Sequence, residues 1–375
     1  MGWMWSATMI GPEVGPEVGT VTSVHSDGGR RETSMGIHGT KVRPHEVSAV
    51  VPTYNDERYI VEALDSIVGQ TARPGEIIVV DDGSTDATPH LVTDYIERHA
   101  HLIPIRHIRL QERSGSERAR NIGIRESKGT WIASCDADDR WAPVKLERQL
   151  DYIERWTGRD ALVVLGTQGF NMNAAGRVLS PLSLGLTTEA EFRTRRIDYG
   201  LCWLAHCSVM FEKAAFLAVG GYRLDYLGAE DLDLWSRMAE LGAIINLEDR
   251  LVYYRKRPGS LQHLFFWEQQ DNLLRISENL RRRATGAEEL TLEQFRDTLR
   301  RAPRRQRLRQ WRLRWGKYYY RTGSTNIVNS RVVQGAGQLA LGAALDPGRA
   351  AGGARTVVAH HLPHPSRRRR RMMSG

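Results

Sequence analysis

The chain has 375 residues, of which 41% are hydrophobic and 26% charged, enough for one large domain plus an appendage or for two domains. No uninterrupted apolar run approaches the ~18 residues of a spanning helix, and three cysteines, an odd count, exclude a disulfide framework and suit a reducing cytosol. The formal charge of +9 is unevenly placed: residues 281–375 hold 22 Lys and Arg against 5 Asp and Glu, a net of +17, while residues 1–280 net −8.

Met1 to Gly19 lacks a basic segment followed by a clean apolar stretch, so it reads as no signal peptide. The Gly-Pro-Glu-Val doublet from Gly11 to Val18 reads as flexible tail, and Met35 is a second candidate start. A disordered tail is expected over residues 1–45.

From Val47 the chain alternates short β-branched runs with helical periodicity. Val47 to Val51 predicts a strand, and Ile60, Ala63, Leu64 and Ile67 predict a helix over Glu57 to Val68. Strands follow at Glu76 to Val80, Ile103 to Ile108 and Trp131 to Cys135, with helices at Thr88 to Arg98 and Glu117 to Lys128. Such alternation implies βαβ units and a mostly parallel sheet covered on both faces. Ligands of these sheets bind outside the carboxyl ends of the strands. Three polar clusters lie at those ends: Pro52-Thr53-Tyr54-Asn55, Asp81-Asp82-Gly83-Ser84 and Asp136-Ala137-Asp138-Asp139.

Three carboxylates in four residues repel one another unless a cation is bound, and oxygen ligands suit Mg²⁺ or Mn²⁺. An ion at Asp136 and Asp138 can bridge the phosphates of a nucleoside diphosphate; a solvated acidic turn is the alternative for a lone D-x-D. Asp82 can accept the imide N–H of a pyrimidine base, with Gly83 permitting a tight turn, while Ser84 or Asp86 can cap the next helix. Arg118 and Arg120, at the start of a helix, can counter phosphate charge or form surface ion pairs. Glu230 and Asp231 open a helix carrying Leu232, Leu234, Trp235, Met238 and Leu241. The helix dipole favours both acids there, and either can remove a proton from a hydroxyl; spacing does not choose. Cys202 and Cys207 flank His206, where buried inert thiols are a stronger reading than a metal site, since no second Cys/His pair is at hand.

In these residues the chain resembles the family 2 glycosyltransferases of GT-A fold, from about Val47 to Arg255. The resemblance rests on Val50 to Asn55, Pro74 to Ser84, Ala119-Arg120-Asn121-Ile122-Gly123, Asp136 to Asp139, and Gly221-Tyr222 followed by Glu230-Asp231. It implies an α/β, Rossmann-like, mostly parallel sheet over residues 46–260. It also implies a donor site of Pro52, Thr53, Tyr54, Asn55, Glu57, Asp82, Gly83, Arg118, Arg120 and Asp136. The metal, Mn²⁺ or Mg²⁺, would sit at Asp136 and Asp138. Asp231 would be the base of an inverting single displacement, with Trp203, His206 and Glu230 on the acceptor side. The implied partners are a nucleotide-diphosphate sugar and a saccharide or lipid-linked acceptor in cell-surface polysaccharide or glycoconjugate biosynthesis. Gln111 to Gly115 departs from the family's usual Asn and Gly ahead of Ala-Arg-Asn, which bears on the diphosphate contacts.

The C-terminal third reads as a basic helical region over 261–350 and a disordered polybasic tail over 351–375, ending in Arg367 to Arg371. In residues 301–321, Leu308, Trp311, Trp315 and Tyr318 or Tyr319 recur at helical spacing among arginines. That pattern fits an interfacial membrane helix or a helix packed on the catalytic domain. An anionic membrane is the expected partner of this region rather than specific nucleic acid, since no nucleic-acid module accompanies it. The expected location is cytoplasmic, peripheral at the inner face of the cell membrane. The rival readings are a nucleotidyltransferase, whose Gly-rich loop is missing after the first strand, and an inactive membrane- or nucleic-acid-binding adaptor.

Overall fold

The computed structural model describes residues 41–198, 200–257, 265–328 and 331–348. The expected tails, including Arg367 to Arg371, lie outside them apart from residues 41–45. The chain forms two compact units, one reaching Arg300 and one beginning at Arg301.

The first unit is built on β1 (Val47–Thr53), α1 (Ile60–Val68), β2 (Glu76–Asp81), α2 (Thr88–His99), β3 (Ile105–Arg109), α3 (Ser116–Glu126) and β4 (Trp131–Ser134). Every residue of β1, β2 and β4 is buried, as expected of central strands covered on both faces. α1 buries Ile60, Ala63, Leu64, Ile67 and Val68 on one stripe, the helical spacing read from sequence. Its start is Ile60, not Glu57. The Asp56 carbonyl accepts from the amides of Tyr59 and Ile60, and Asn55 takes φ 55°, so residues 55–59 form a turn. β3 starts at Ile105 rather than Ile103, after Pro104, which has no N–H for a ladder.

The chain continues through β5 (Arg140–Trp141), α4 (Lys145–Glu154), β6 (Leu162–Asn173), β7 (Val178–Leu182), α5 (Glu189–Ile197) and a 3₁₀ turn at His206–Ser208. β8 (Met210–Glu212), α6 (Lys213–Ala218), α7 (Glu230–Met238) and β9 (Ala243–Lys256) follow. One sheet runs β3-β2-β1-β4-β8-β6-β9-β5, with β7 paired to β6. Strands β3, β2, β1 and β4 are parallel, and β6 is parallel to β9. The α/β sheet is nevertheless mixed rather than mostly parallel, because β8 runs antiparallel to β4 and β6, β5 to β9 and β7 to β6. β7 returns from β6 through a tight turn at residues 174–177, a connection that permits only antiparallel pairing.

The helices α8 (Phe266–Ala284) and α9 (Leu292–Arg301) come next. Asn272 donates to the Leu227 carbonyl, Arg275 pairs with Asp225 at 2.6 Å, and Arg283 donates to Ser236 Oγ at 3.0 Å. α8 is thereby fastened to α7 and the loop before it, so the break in the chain falls near Arg301 rather than at residue 260. The second unit is a helical hairpin of α10 (Arg304–Val328) and α11 (Val332–Leu345).

Candidate active site

Parallel strands present their carboxyl ends to one edge, so the residues after β1, β2 and β4 gather there. Pro52 lies inside β1 opposite Val80. Beyond it Thr53 Oγ1 and the Tyr54 amide both donate to Asp56 Oδ2 at 3.2 Å. Asn55 Oδ1 accepts the Thr85 amide at 2.8 Å, and Glu57 Oε2 accepts the Ala87 amide at 3.0 Å. The side chains of Asn55 and Glu57, though exposed, therefore hold the β2–α2 loop.

Asp82 is similarly engaged. One of its oxygens accepts from Ser114 N and Ser114 Oγ, each at 2.7 Å, and the other from Gly115 N at 2.8 Å. An ionised carboxylate has about four lone-pair positions, so three are filled by the loop that precedes α3. Gly83, at φ 77°, is required by that closeness: a Cβ would lie 3.0 Å from Arg113 N. Above this turn the Arg113 guanidinium stacks 4.3 Å from the centre of the Tyr54 ring.

The best-connected part of the site is a chain of four side chains. Arg120 donates to Asp136 Oδ1 at 2.8 Å; His206 Nδ1 is 3.4 Å from the same oxygen and 3.1 Å from Ser134 Oγ. His206 Nε2 lies 2.6 Å from the Tyr222 hydroxyl. Burial would raise the Asp136 carboxyl, but His206 and Arg120 outweigh it and hold the group well below its ordinary range. Arg120 is buried, with Nε and Nη1 lacking a partner within the protein. Both nitrogens are themselves buried, so these donors are left unsatisfied inside the protein.

Asp138 has the opposite balance. Burial and the neighbouring Asp136 and Asp56 charges raise its carboxyl to about 6, although Arg257 pairs with it at 2.7 Å. Arg257 also bonds Asp56 at 2.9 Å. Asp139 is almost fully buried, accepts the Arg255 amide at 2.7 Å and leaves Oδ2 unpartnered, and burial pushes its carboxyl far up. Among the described residues no ready-made group of three His, Cys, Asp or Glu side chains could hold a metal. The donor chemistry still fits a hard divalent ion: crowded carboxyl oxygens with raised affinity for positive charge, completed by phosphate oxygens.

Glu230 and Asp231 open α7, both half-buried. Burial and the Asp231 charge lift Glu230 to about 8, and its Oε2 has no partner. Asp231 is also raised by burial, but His206, the Leu232 amide and Arg120 pull it back. Burial thus favours the protonated form of both acids, opposed more fully at Asp231 by His206 and the Leu232 amide.

Two expected residues are not brought to this cluster. Arg118 is on the exposed face of α3, because two helix positions separate side chains by roughly 200°, and Arg120 takes the buried face. Trp203 is half-buried and packs against the hydrophobic core. All three cysteines are buried free thiols. Sequence reading missed Arg257 and Arg113. Arg257 meets Asp138 from a strand end more than a hundred residues away, with no local pattern to signal it.

Residues 48–216 match the family described as Glycosyl transferase family 2. An uncharacterized glycosyltransferase of Rickettsia prowazekii is 26% identical over 203 residues, 53% of this chain and 60% of that protein. The uncharacterized glycosyltransferase EpsJ of Bacillus subtilis is 30% identical over 230 residues, 58% of this chain and 63% of that protein. The chain thus spans somewhat over half the length of these curated relatives. A solved structure of S. aureus TarS 1–349 in complex with UDP-GlcNAc superposes with a TM-score of 0.48 at 20% identity, covering 82% of this chain and 92% of that one. The family match, the curated relatives and the ordered clusters at the strand ends agree: through residues 48–216, this chain is similar to the family 2 glycosyltransferases.

Proposed function

We propose that the chain moves a sugar from a nucleoside diphosphate sugar to a hydroxyl of a saccharide or lipid-linked acceptor, with inversion, in cell-surface polysaccharide or glycoconjugate biosynthesis. The observation that carries this reading is the unequal environment of the two acids opening α7. Burial raises both carboxyls, Glu230 to about 8 with the Asp231 and Glu117 charges adding to the rise, while His206, the Leu232 amide and Arg120 oppose the rise at Asp231. Pairs of acids pushed apart in this way divide into a proton holder and a base.

In the proposed reaction the acceptor oxygen attacks the anomeric carbon as the bond to the leaving phosphate oxygen breaks. The hydroxyl proton passes to Asp231, and the electron pair leaves with the nucleoside diphosphate. Arg120, with its two unsatisfied N–H groups, neutralises charge growing on the leaving phosphate. Tyr54, Asp82 and Gly83 border the base and ribose, with Arg113 replacing Arg118 among the arginines at this edge. A bound Mn²⁺ or Mg²⁺, held by Asp138 with Asp136 beside it, would add Lewis-acid stabilisation of the diphosphate. A cytoplasmic position at the inner face of the membrane belongs to the same proposal.

The test is Asp231→Asn, assayed with radiolabelled donors from a panel of nucleotide sugars. Turnover should fall by ~10² to 10⁴, the usual worth of general base catalysis, with donor affinity nearly unchanged. Near wild-type turnover in this variant would mean that the base is elsewhere. Nucleotide attached to product instead of sugar would favour the nucleotidyltransferase alternative.

A further inference from the structure

The second unit packs in a way that leaves several of its larger apolar side chains outside, while Ile327 and Leu339 lie against the facing glycines. α10 and α11 meet through glycines: a Cβ on Gly323 would lie 2.8 Å from the Gly335 carbonyl oxygen, and one on Gly342 would lie 3.1 Å from the Gly316 carbonyl oxygen. The two contacts are seven residues apart on each helix, so they repeat after two turns on one stripe. Asn326 adds a hydrogen bond to Gln338 across the hairpin at 2.7 Å. Close backbone approach through small residues, supported by a polar side-chain bond, is how helices associate where bulky apolar contacts give no advantage. A hairpin stabilised by water exclusion would place its valines and leucines between the helices. Here Val332, Val333 and Leu341 of α11 are 59%, 89% and 51% exposed, and α11 carries no charged residue in its 14 positions. On α10, Leu308 and Trp311 are likewise 59% and 56% exposed.

Charge identifies the occupant of this surface. Residues 301–348 hold ten Lys and Arg against one Asp, and residues 311–320 contain five aromatics. Positive charge, Trp and Tyr beside an uncharged apolar face match the layering of an anionic bilayer surface, with phosphate above and acyl chain below. At 14 residues, α11 spans roughly 21 Å, short of the ~30 Å hydrocarbon core. No helix among the described residues is long and apolar enough to cross a membrane. We infer that the α10–α11 hairpin is an interfacial docking element that seats the exposed face of α11 in the outer acyl region of an anionic membrane, with the α10 arginines on lipid phosphates. This inference rests on the membrane position proposed above but not on the catalytic roles, so docking and catalysis can each fail alone.

The experiment uses the full chain and sedimentation with vesicles of phosphatidylcholine containing phosphatidylglycerol, compared with phosphatidylcholine alone. Wild type should sediment with the anionic vesicles and release as salt rises. Val333→Asp/Leu341→Asp, both at exposed positions, should lower the partition by at least about tenfold. Arg304→Gln/Arg305→Gln/Arg309→Gln should lower it about a hundredfold, about fivefold for each charge removed. The arginine set keeps the test decisive if the aspartate pair disturbs the hairpin by circular dichroism. Sedimentation of both variants like wild type would overturn the inference. So would a lipid-free dimer that Val333→Asp/Leu341→Asp dissociates, which would make a second copy the occupant. Retention on duplex DNA without vesicle binding would overturn it equally.

Discussion

The Tyr222 hydroxyl and His206 Nε2 are 2.6 Å apart, and this bond links the Gly220-Gly221-Tyr222 turn to the acid cluster after β4. The turn is held from two helices. Asn121 of α3 both donates to the Tyr222 carbonyl and accepts its amide, each at 2.9 Å. Arg237 of α7 donates to the carbonyls of Val219 and Gly221. Burial keeps the Tyr222 phenol protonated, and its contact at Nε2 holds the ring with Nδ1 facing Asp136. His206 thereby has an orientation imposed from behind, which a residue expected on the acceptor side needs.

Tyr222→Phe isolates that bond, because the ring keeps its packing against Phe216 at 5.7 Å. One neutral hydrogen bond is worth about 1 kcal/mol, so stability should change little while turnover falls about fivefold or more. Donor affinity measured by calorimetry should stay near wild type. Unchanged turnover would show that His206 needs no such support.

Gly123→Ala tests the seating of α3. A Cβ there would lie 2.7 Å from Val50 Cγ1 and 2.9 Å from Val80 Cγ2, on strands β1 and β2. Both neighbours are buried β-branched residues that cannot turn away easily. The expected cost is about 1–3 kcal/mol in urea unfolding. Nucleoside diphosphate affinity should fall too, since α3 carries Arg120. Full stability in this variant would mean that the helix lifts without penalty.

Much of this was legible in the sequence because it is local. Strand-end clusters follow from short β-branched runs, and Ile60, Ala63, Leu64 and Ile67 gave α1 by spacing alone. What stayed hidden depends on partners far along the chain. Arg257 beside Asp138 and the two-way bond of Asn121 to Tyr222 join segments about a hundred residues apart. Strand direction in β5 and β8 was hidden for the same reason, since two- or three-residue strands carry no periodicity. In the hairpin the aromatic spacing of α10 was visible, but the pairing of Gly316 with Gly342 was not.

Asp138→Asn addresses the divalent ion. The native carboxyl, raised to about 6 by burial and its acidic neighbours, gains from any added positive charge. Calorimetry of nucleoside diphosphate binding with Mn²⁺ should show affinity reduced several-fold in the variant. Wild-type affinity should drop on chelation, whereas the variant should respond much less. Equal, chelator-insensitive affinities would remove Asp138 from the metal site.

Glu230→Gln separates the two acids of α7 through pH. The Glu230 carboxyl titrates near 8 in the folded chain, against an ordinary 4.5, chiefly because burial penalises its charged form. Below about pH 4.5 both folded and unfolded chains hold the proton, and the protein has its full stability from this group. Between about pH 4.5 and 8 the unfolded chain releases the proton while the folded chain keeps it, so stability falls as pH rises and levels off beyond. Gln cannot ionise, so the variant escapes that loss. Its urea midpoint relative to wild type should rise from about pH 5 to about pH 9. Turnover near neutrality should be kept within a fewfold, because a neutral amide resembles the protonated acid and Asp231 remains the base. A dead Glu230→Gln enzyme with an active Asp231→Asn enzyme would reverse the two roles. A flat stability difference across pH would mean that Glu230 ionises normally, and the division of labour at the start of α7 would fall with it.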